Sequence, residues 1–270
     1  MAKLIDFDRK YMAFAAKSLK SFSDLKEDEL EKALNDTASK WVTTDDAELG
    51  GRTPDEYFAA MAPRELADNL AAYCAASMNV PEPLYRRIAG TAECAEHLVG
   101  IARNRNLSEK ARGTALRLLI DMEADGLSAL AADILSEGGA LEDEAADWLK
   151  GAGDEVVEPL FERYETADEG AREAILDVLC AHPGIQRTAE LLKERLLTDH
   201  ERRALHASYA ARLGDESLLA PLFRLCEMSD LTYFDYMEIR NAIEALGGEP
   251  GAERQFYGDP DFERLREEPE

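Results

Sequence analysis

One apolar pattern returns at a fixed interval through the second half of this chain: Leu160, Leu191 and Leu222 stand 31 residues apart. Each sits in a segment with apolar residues at helical spacing. A polar break and a second such segment follow. Residues 154–215 contain this unit twice, with breaks at Thr166-Ala-Asp-Glu-Gly and Thr198-Asp-His-Glu. Recurrence at about 30 residues with two helical patterns per period is the signature of a stacked helical array. A two-helix unit cannot bury its apolar face alone, so neighbours stack and share a core. The period therefore predicts an all-α chain with an α-solenoid architecture.

Five pairs can be laid out: 91–104 with 108–124, 127–136 with 140–151, 155–165 with 169–181, 186–197 with 199–213, and 216–226 with 233–246. Turn residues punctuate them at Gly126, Gly138-Gly139, Gly153-Asp154, Pro183-Gly184, Gly214-Asp215 and Gly247-Gly248. Ala145, Ala171, Ala174, Ala204 and Ala210 let paired helices approach closely, while Leu, Ile and Phe fill the layers between them.

The first 80 residues read as helical without the repeat. An apolar stripe runs from Phe7 through Tyr11, Phe14 and Leu19 to Phe22. Asp24 with Glu27 predicts a capping box that opens a helix carrying Leu30, Leu34 and Trp41. Thr53-Pro54-Asp55-Glu56 is a dense helix start. Gly50-Gly51 precedes it. An anion cradle there would need a phosphate-loop lysine, so the pair reads as a tight turn. Another helix begins at Pro63. Val80-Pro81-Glu82-Pro83 disfavours helix and divides a small N-terminal helical module, 1–80, from the repeat array, 81–248. Residues 249–270 hold three prolines and eight acids and read as an acidic cap or tail, with a short helix near 262–266.

The formal charge is −25. Such a surface repels nucleic acid and anionic membranes, and no cluster of Lys and Arg offers phosphate contacts. The acidity lies mainly on the repeats: 41 Asp and Glu against 21 Lys and Arg after residue 80, compared with 15 against 10 before it. It reads as a solvated helical surface, with an acidic face for a basic partner as the sharper alternative. Cys74, Cys94, Cys180 and Cys226 lie far apart in apolar helical surroundings, which predicts reduced, buried thiols and no zinc site. The first residues lack the apolar core of a signal peptide. No apolar run approaches the roughly 18 residues of a membrane span. The expectation is a cytoplasmic protein.

Arg202-Arg-Ala-Leu-His-Ala-Ser-Tyr-Ala-Ala-Arg-Leu-Gly-Asp215 resembles the second helix of a HEAT-like repeat, in the short form of many bacterial proteins, including bilin lyases. Glu238-Ile-Arg-Asn-Ala-Ile-Glu-Ala-Leu-Gly247 is similar to it. So is Leu141-Glu-Asp-Glu-Ala-Ala-Asp-Trp-Leu-Lys-Gly-Ala-Gly-Asp154, with acids in place of the arginines. The resemblance covers about residues 91–248 and implies some five helical hairpins whose second helices line a concave face. Proteins with such repeats include scaffolds, transport adaptors, bilin lyases, DNA glycosylases and a metal-dependent hydroxylase.

The hydroxylase would need several His-Glu pairs. Of His97, His182, His200 and His206, only His200 is followed by Glu, and Thr198 with Glu201 reads as a capping box there. A glycosylase would need a basic groove. No residue discriminates the bilin-lyase reading. No nucleophile elbow occurs, and Cys180 and His182 point to different helix faces. No catalytic residue, metal ligand or cofactor is therefore assigned. What remains is a column on successive second helices, Arg112, Arg172, Arg202 and Arg240, with Arg203, His206, Tyr233 and Tyr236 near it. It is either a ladder that fixes stacking or a row of donors for an acidic peptide. The expected function is a non-enzymatic protein-interaction scaffold or adaptor using the concave face. The alternative is an enzyme or lyase with a pocket between the N-terminal module and the first repeats. The oligomeric state is open.

Overall fold

A computed structural model describes residues 4–17 and 26–267. The described chain is all-helical, and its one β-feature is an isolated bridge between Asp46 and Arg52. It divides into two compact units between Leu130 and Ala131, inside a helix.

The first unit contains α1 (Phe7–Ala15), α2 (Glu27–Val42), α3 (Pro54–Ala59), α4 (Pro63–Ala75), α5 (Glu82–Ala89), α6 (Ala95–Arg103) and α7 (Glu109–Asp121). The predicted cap of α3 forms in both directions: Glu56 N–H donates to Thr53 Oγ1 at 3.1 Å, and Thr53 N–H donates to the Glu56 carboxylate at 3.1 Å. Gly50 and Gly51, at φ of 73° and 75°, close the turn ahead of it. Only residues tolerating a left-handed backbone fit there. Leu19, Phe22 and Asp24 lie outside the described residues. Phe7, Trp41 and Phe58 bring α1, α2 and α3 together, with Phe7 and Phe58 ring centres 5.3 Å apart. The expected break at Val80–Pro83 is shorter than predicted and falls within this unit: Pro81 caps α5, and Glu82 and Pro83 form its first turn, where a missing N–H costs nothing. Both α4 and α5 pack on α7, so the N-terminal helices and the first predicted pair share a core around Leu66, Leu70, Leu84, Ile88 and Leu98.

The second unit contains most of α8 (Leu127–Glu137), then α9 (Glu142–Gly151), α10 (Val157–Thr166), α11 (Glu169–Leu179), α12 (Gln186–Thr198), α13 (Arg203–Leu213), α14 (Leu219–Cys226), α15 (Tyr233–Ala245) and α16 (Pro260–Glu267). Helix packing follows chain order, α10 on α11, α12 on α13, α14 on α15, with α13 also against α15. Leu176, Leu192, Leu196, Ala207, Ala210, Leu222 and Ile239 form one buried cluster across these helices. Fully burying a Leu or Ile contributes roughly 1.5–3 kcal/mol, so this layer is the unit's main source of stability.

The boundary between α12 and α13 differs from its expectation. Helix α12 continues through Thr198, whose hydroxyl donates back to the Glu194 carbonyl at 2.9 Å, so Thr198 caps no following helix. Helix α13 starts at Arg203. Asp199 holds the link instead, accepting from Glu201 N–H at 3.2 Å. The short helix predicted near the C-terminus is present as α16.

The segment between α15 and α16 is held by Arg240. Its Nη1 donates to the carbonyls of Pro250 at 3.2 Å and Gly251 at 3.0 Å, and to Tyr236 Oη at 3.1 Å. Tyr236 Oη also accepts from Arg254 N–H at 3.1 Å, and Phe256 inserts against Tyr233 and Tyr236.

Candidate functional site

The arginines at the starts of second helices point to main-chain oxygens and acids of their own unit. Arg112 is buried, and its Nε donates at 2.8 Å to the Ala102 carbonyl near the end of α6. Arg172 reaches the carbonyls of Tyr164 at 3.1 Å and Glu165 at 3.3 Å in the last turn of α10. The last four carbonyls of a helix have no intrahelical partner, and a cation there also meets the negative end of the helix dipole. Arg112 and Arg172 therefore tie each first helix to the second helix that follows. Arg203, also buried, donates to Asp230 at 3.0 Å. His182 works similarly: its Nε2 lies 2.9 Å from the Leu149 carbonyl, which only accepts, so Nε2 carries the proton.

Arg202 and His206 converge on a different arrangement, a polar cluster shared by α11, α12 and α13. His206 is fully buried on α13, with Nε2 3.1 Å from Glu173 Oε2 of α11. Arg202 Nη1 lies 3.1 Å from Glu169 Oε1, 3.4 Å from Glu173 Oε2 and 3.5 Å from Asp199 Oδ2. Arg195 Nη1 holds Glu169 at 2.8 Å, and this hydrogen bond keeps the Glu169 carboxyl below its usual range. Tyr209 also faces Glu173; burial first, then Asp177 and Glu173, push its phenol upward. Glu173, Asp199 and His206 form a group of three metal-ligating side chains whose ligand atoms all lie within 4.8 Å of one another. Short-spacing patterns in the sequence contain no trace of it, because the residues come from α11, the end of α12 and α13.

Beside this cluster, Asp177 receives Lys150 Nζ and Arg212 Nη2, both at 2.6 Å. Burial pushes its carboxyl upward, but these two bonds outweigh burial and leave it below its ordinary value. A depressed carboxylate contributes stability above its unfolded pKa, and that contribution is lost as pH falls through the folded value. Asp177→Asn is expected to lower the melting temperature at neutral pH. The gap from wild type should close below about pH 4. A gap that stays constant to about pH 3 would contradict the assignment.

Not every charge is paired. Asp143 and Asp147 stand one helical turn apart on α9, and Asp154 and Glu155 follow in the turn before α10. All four are exposed and make no ion pair among the described residues. Glu142 and Asp143 occupy the place at which neighbouring second helices carry arginine.

In the first unit a cleft of about 450 Å³ lies between α4 and α6, lined by Arg64, Asp68, Glu96, His97 and Asn104 among small and apolar residues. No serine, cysteine or threonine lines it. A larger cleft, of about 1020 Å³, borders α1 and Trp41. Lys10 in its wall is held by Asp46 at 2.8 Å and Glu48 at 2.6 Å. All four cysteines are free; Cys74, Cys94 and Cys180 are buried, and burial pushes the Cys180 thiol up to about 12. No helix among the described residues is long and apolar enough to cross a membrane. Comparison with known proteins yields no match to a family model, a curated protein or a solved structure.

Proposed function

We propose that this chain is a non-enzymatic interaction scaffold, a HEAT-like helical array that holds a basic segment of a protein partner. The observation that carries the reading is the division of charge in the second unit. Arg172, Arg202, Arg203 and Arg240 are engaged within the chain, whereas Asp143, Asp147, Asp154 and Glu155 are exposed and unpaired. An acidic peptide would find the guanidinium donors of this column occupied. A Lys- or Arg-rich segment would find carboxylates with no competing cation, and complementary charge favours fast and selective association. If the second unit is a HEAT-like array, α9 is a second helix like α11, α13 and α15, and Asp143 and Asp147 would belong to the side on which such arrays hold partners. The free thiols, three of them buried, fit a reducing, cytoplasmic setting.

Any strongly acidic protein attracts cations, so the test must separate a face from net charge. Binding of a fluorescent Lys/Arg-rich peptide to the full chain is measured by anisotropy. Asp143→Lys with Asp147→Lys should weaken it about tenfold, about 1.4 kcal/mol. Glu216→Lys with Glu227→Lys, an equal charge change at exposed sites, should weaken it far less. Equal weakening by both pairs would overturn the proposal.

A further inference from the structure

We infer that Glu173, Asp199 and His206 form a binding site for a first-row divalent cation of the zinc or manganese type, for which Arg202 competes. The three residues offer two carboxylates and one imidazole, a donor set that suits these ions. Their ligand atoms are within 4.8 Å of one another, and the Glu173–His206 pair is at 3.1 Å. Ligands about 2.1 Å from a tetrahedral ion stand about 3.4 Å apart, so small side-chain rotations close the site.

A second observation points the same way. Glu173 Oε1 and His206 Nδ1 are buried and have no hydrogen-bond partner. A carboxylate oxygen can only accept. His206 faces Glu173 through Nε2, and an ion that takes the Nε2 lone pair leaves the ring proton on Nδ1. Glu173 Oε1 is thus a buried lone pair at the cluster, with the Tyr209 phenol facing its carboxylate, and a cation would relieve it; an unmet buried acceptor costs roughly 1–3 kcal/mol.

Arg202 is the cation already at hand, but its contacts to Glu173 and Asp199, at 3.4 and 3.5 Å, are long. Its side chain is 37% exposed, and its guanidinium is closest to Glu169, at 3.1 Å. It can swing outward on Glu169 and leave the other two carboxylates to the ion. A bound ion would then pin α11, the end of α12 and α13 together, reinforcing the junction between two successive helical pairs.

The test titrates Zn2+ and Mn2+ separately into chelator-treated full-length protein by calorimetry. One ion per chain is expected. Glu173→Gln and Asp199→Asn should each weaken binding at least about tenfold, and Arg202→Gln should tighten it about tenfold. Absence of saturable binding in both wild type and Arg202→Gln would overturn the inference, as would binding unchanged by Asp199→Asn. A readout on the wild-type chain avoids any folding defect of the variants. Sub-stoichiometric Mn2+ should broaden the imidazole resonances of His206 before those of His97 and His182. Uniform broadening, or His97 first, would place the ion on surface acids and overturn the site.

Discussion

Leu192→Ala is expected to destabilise the second unit by about 3–5 kcal/mol, the range for truncating a fully buried leucine. Leu192 has no exposed surface and lies in the buried cluster with Leu176, Leu196, Ala207, Ala210 and Leu222. Its removal leaves a void facing α11, α13 and α14, because helices joined by short turns on both sides cannot close in to fill it. Calorimetry should show a melting temperature lower by about 10 °C. Loss of about 1 kcal/mol or less would mean that the layer between these helical pairs packs more loosely than described. The exposed Leu205, one helix further along the chain, is the control: its replacement by alanine should cost about 0.5 kcal/mol or less.

The second large effect is expected at Arg240. Arg240→Ala removes one buried guanidinium that joins Tyr236 Oη to the Pro250 and Gly251 carbonyls. Hydrogen bonds to a charged group contribute about 1.5–3 kcal/mol each, and the abandoned partners lose them together. A loss of about 3 kcal/mol is expected, concentrated where the C-terminal segment folds back over Tyr233 and Tyr236. Amide exchange should accelerate at residues 252–256, including Arg254 N–H, which donates to Tyr236 Oη. Arg240→Lys should recover only part of the loss: the single Nη1 meets all three oxygens, and the lysine ammonium ends one bond short of that position. Unchanged exchange at 252–256 in Arg240→Ala would show that Phe256 packing alone holds the segment.

Much of the helical organisation was legible in the residues. The apolar spacing around Leu160, Leu191 and Leu222 marks α10, α12 and α14, and glycines at 126, 138, 139, 184, 214 and 247 adopt the left-handed turns that separate helices. Local signals failed where a local rule had two outlets. Thr198 could cap forward or bond backward, and the apolar Leu196 and Leu197 extended α12 far enough that it bonds backward to Glu194. The arginine column held its register only at Arg112 and Arg172, in the first turn of α7 and α11; Arg202 precedes α13, Arg240 lies two turns into α15, and none of their partners was visible. Arg112 and Arg172 donate to carbonyls at the ends of preceding helices, and where a helix end lies in space is a tertiary property that side-chain spacing does not encode. The Glu173, Asp199 and His206 group was invisible for a related reason, since its members are up to 33 residues apart. One hint was present: His206 shares a helix face with Ala207, Ala210 and Leu213, and a buried imidazole needs a polar partner.

The proposal as a whole stands on the acidic face of α9 and the turn after it. Amide hydrogen exchange of the full chain, with and without a saturating Lys/Arg-rich peptide, tests it most directly. The account predicts slowed exchange at residues 142–158, present at low salt and lost at high salt, with the first unit unchanged. Protection spread evenly over both units, or centred on the α4–α6 cleft, would contradict it.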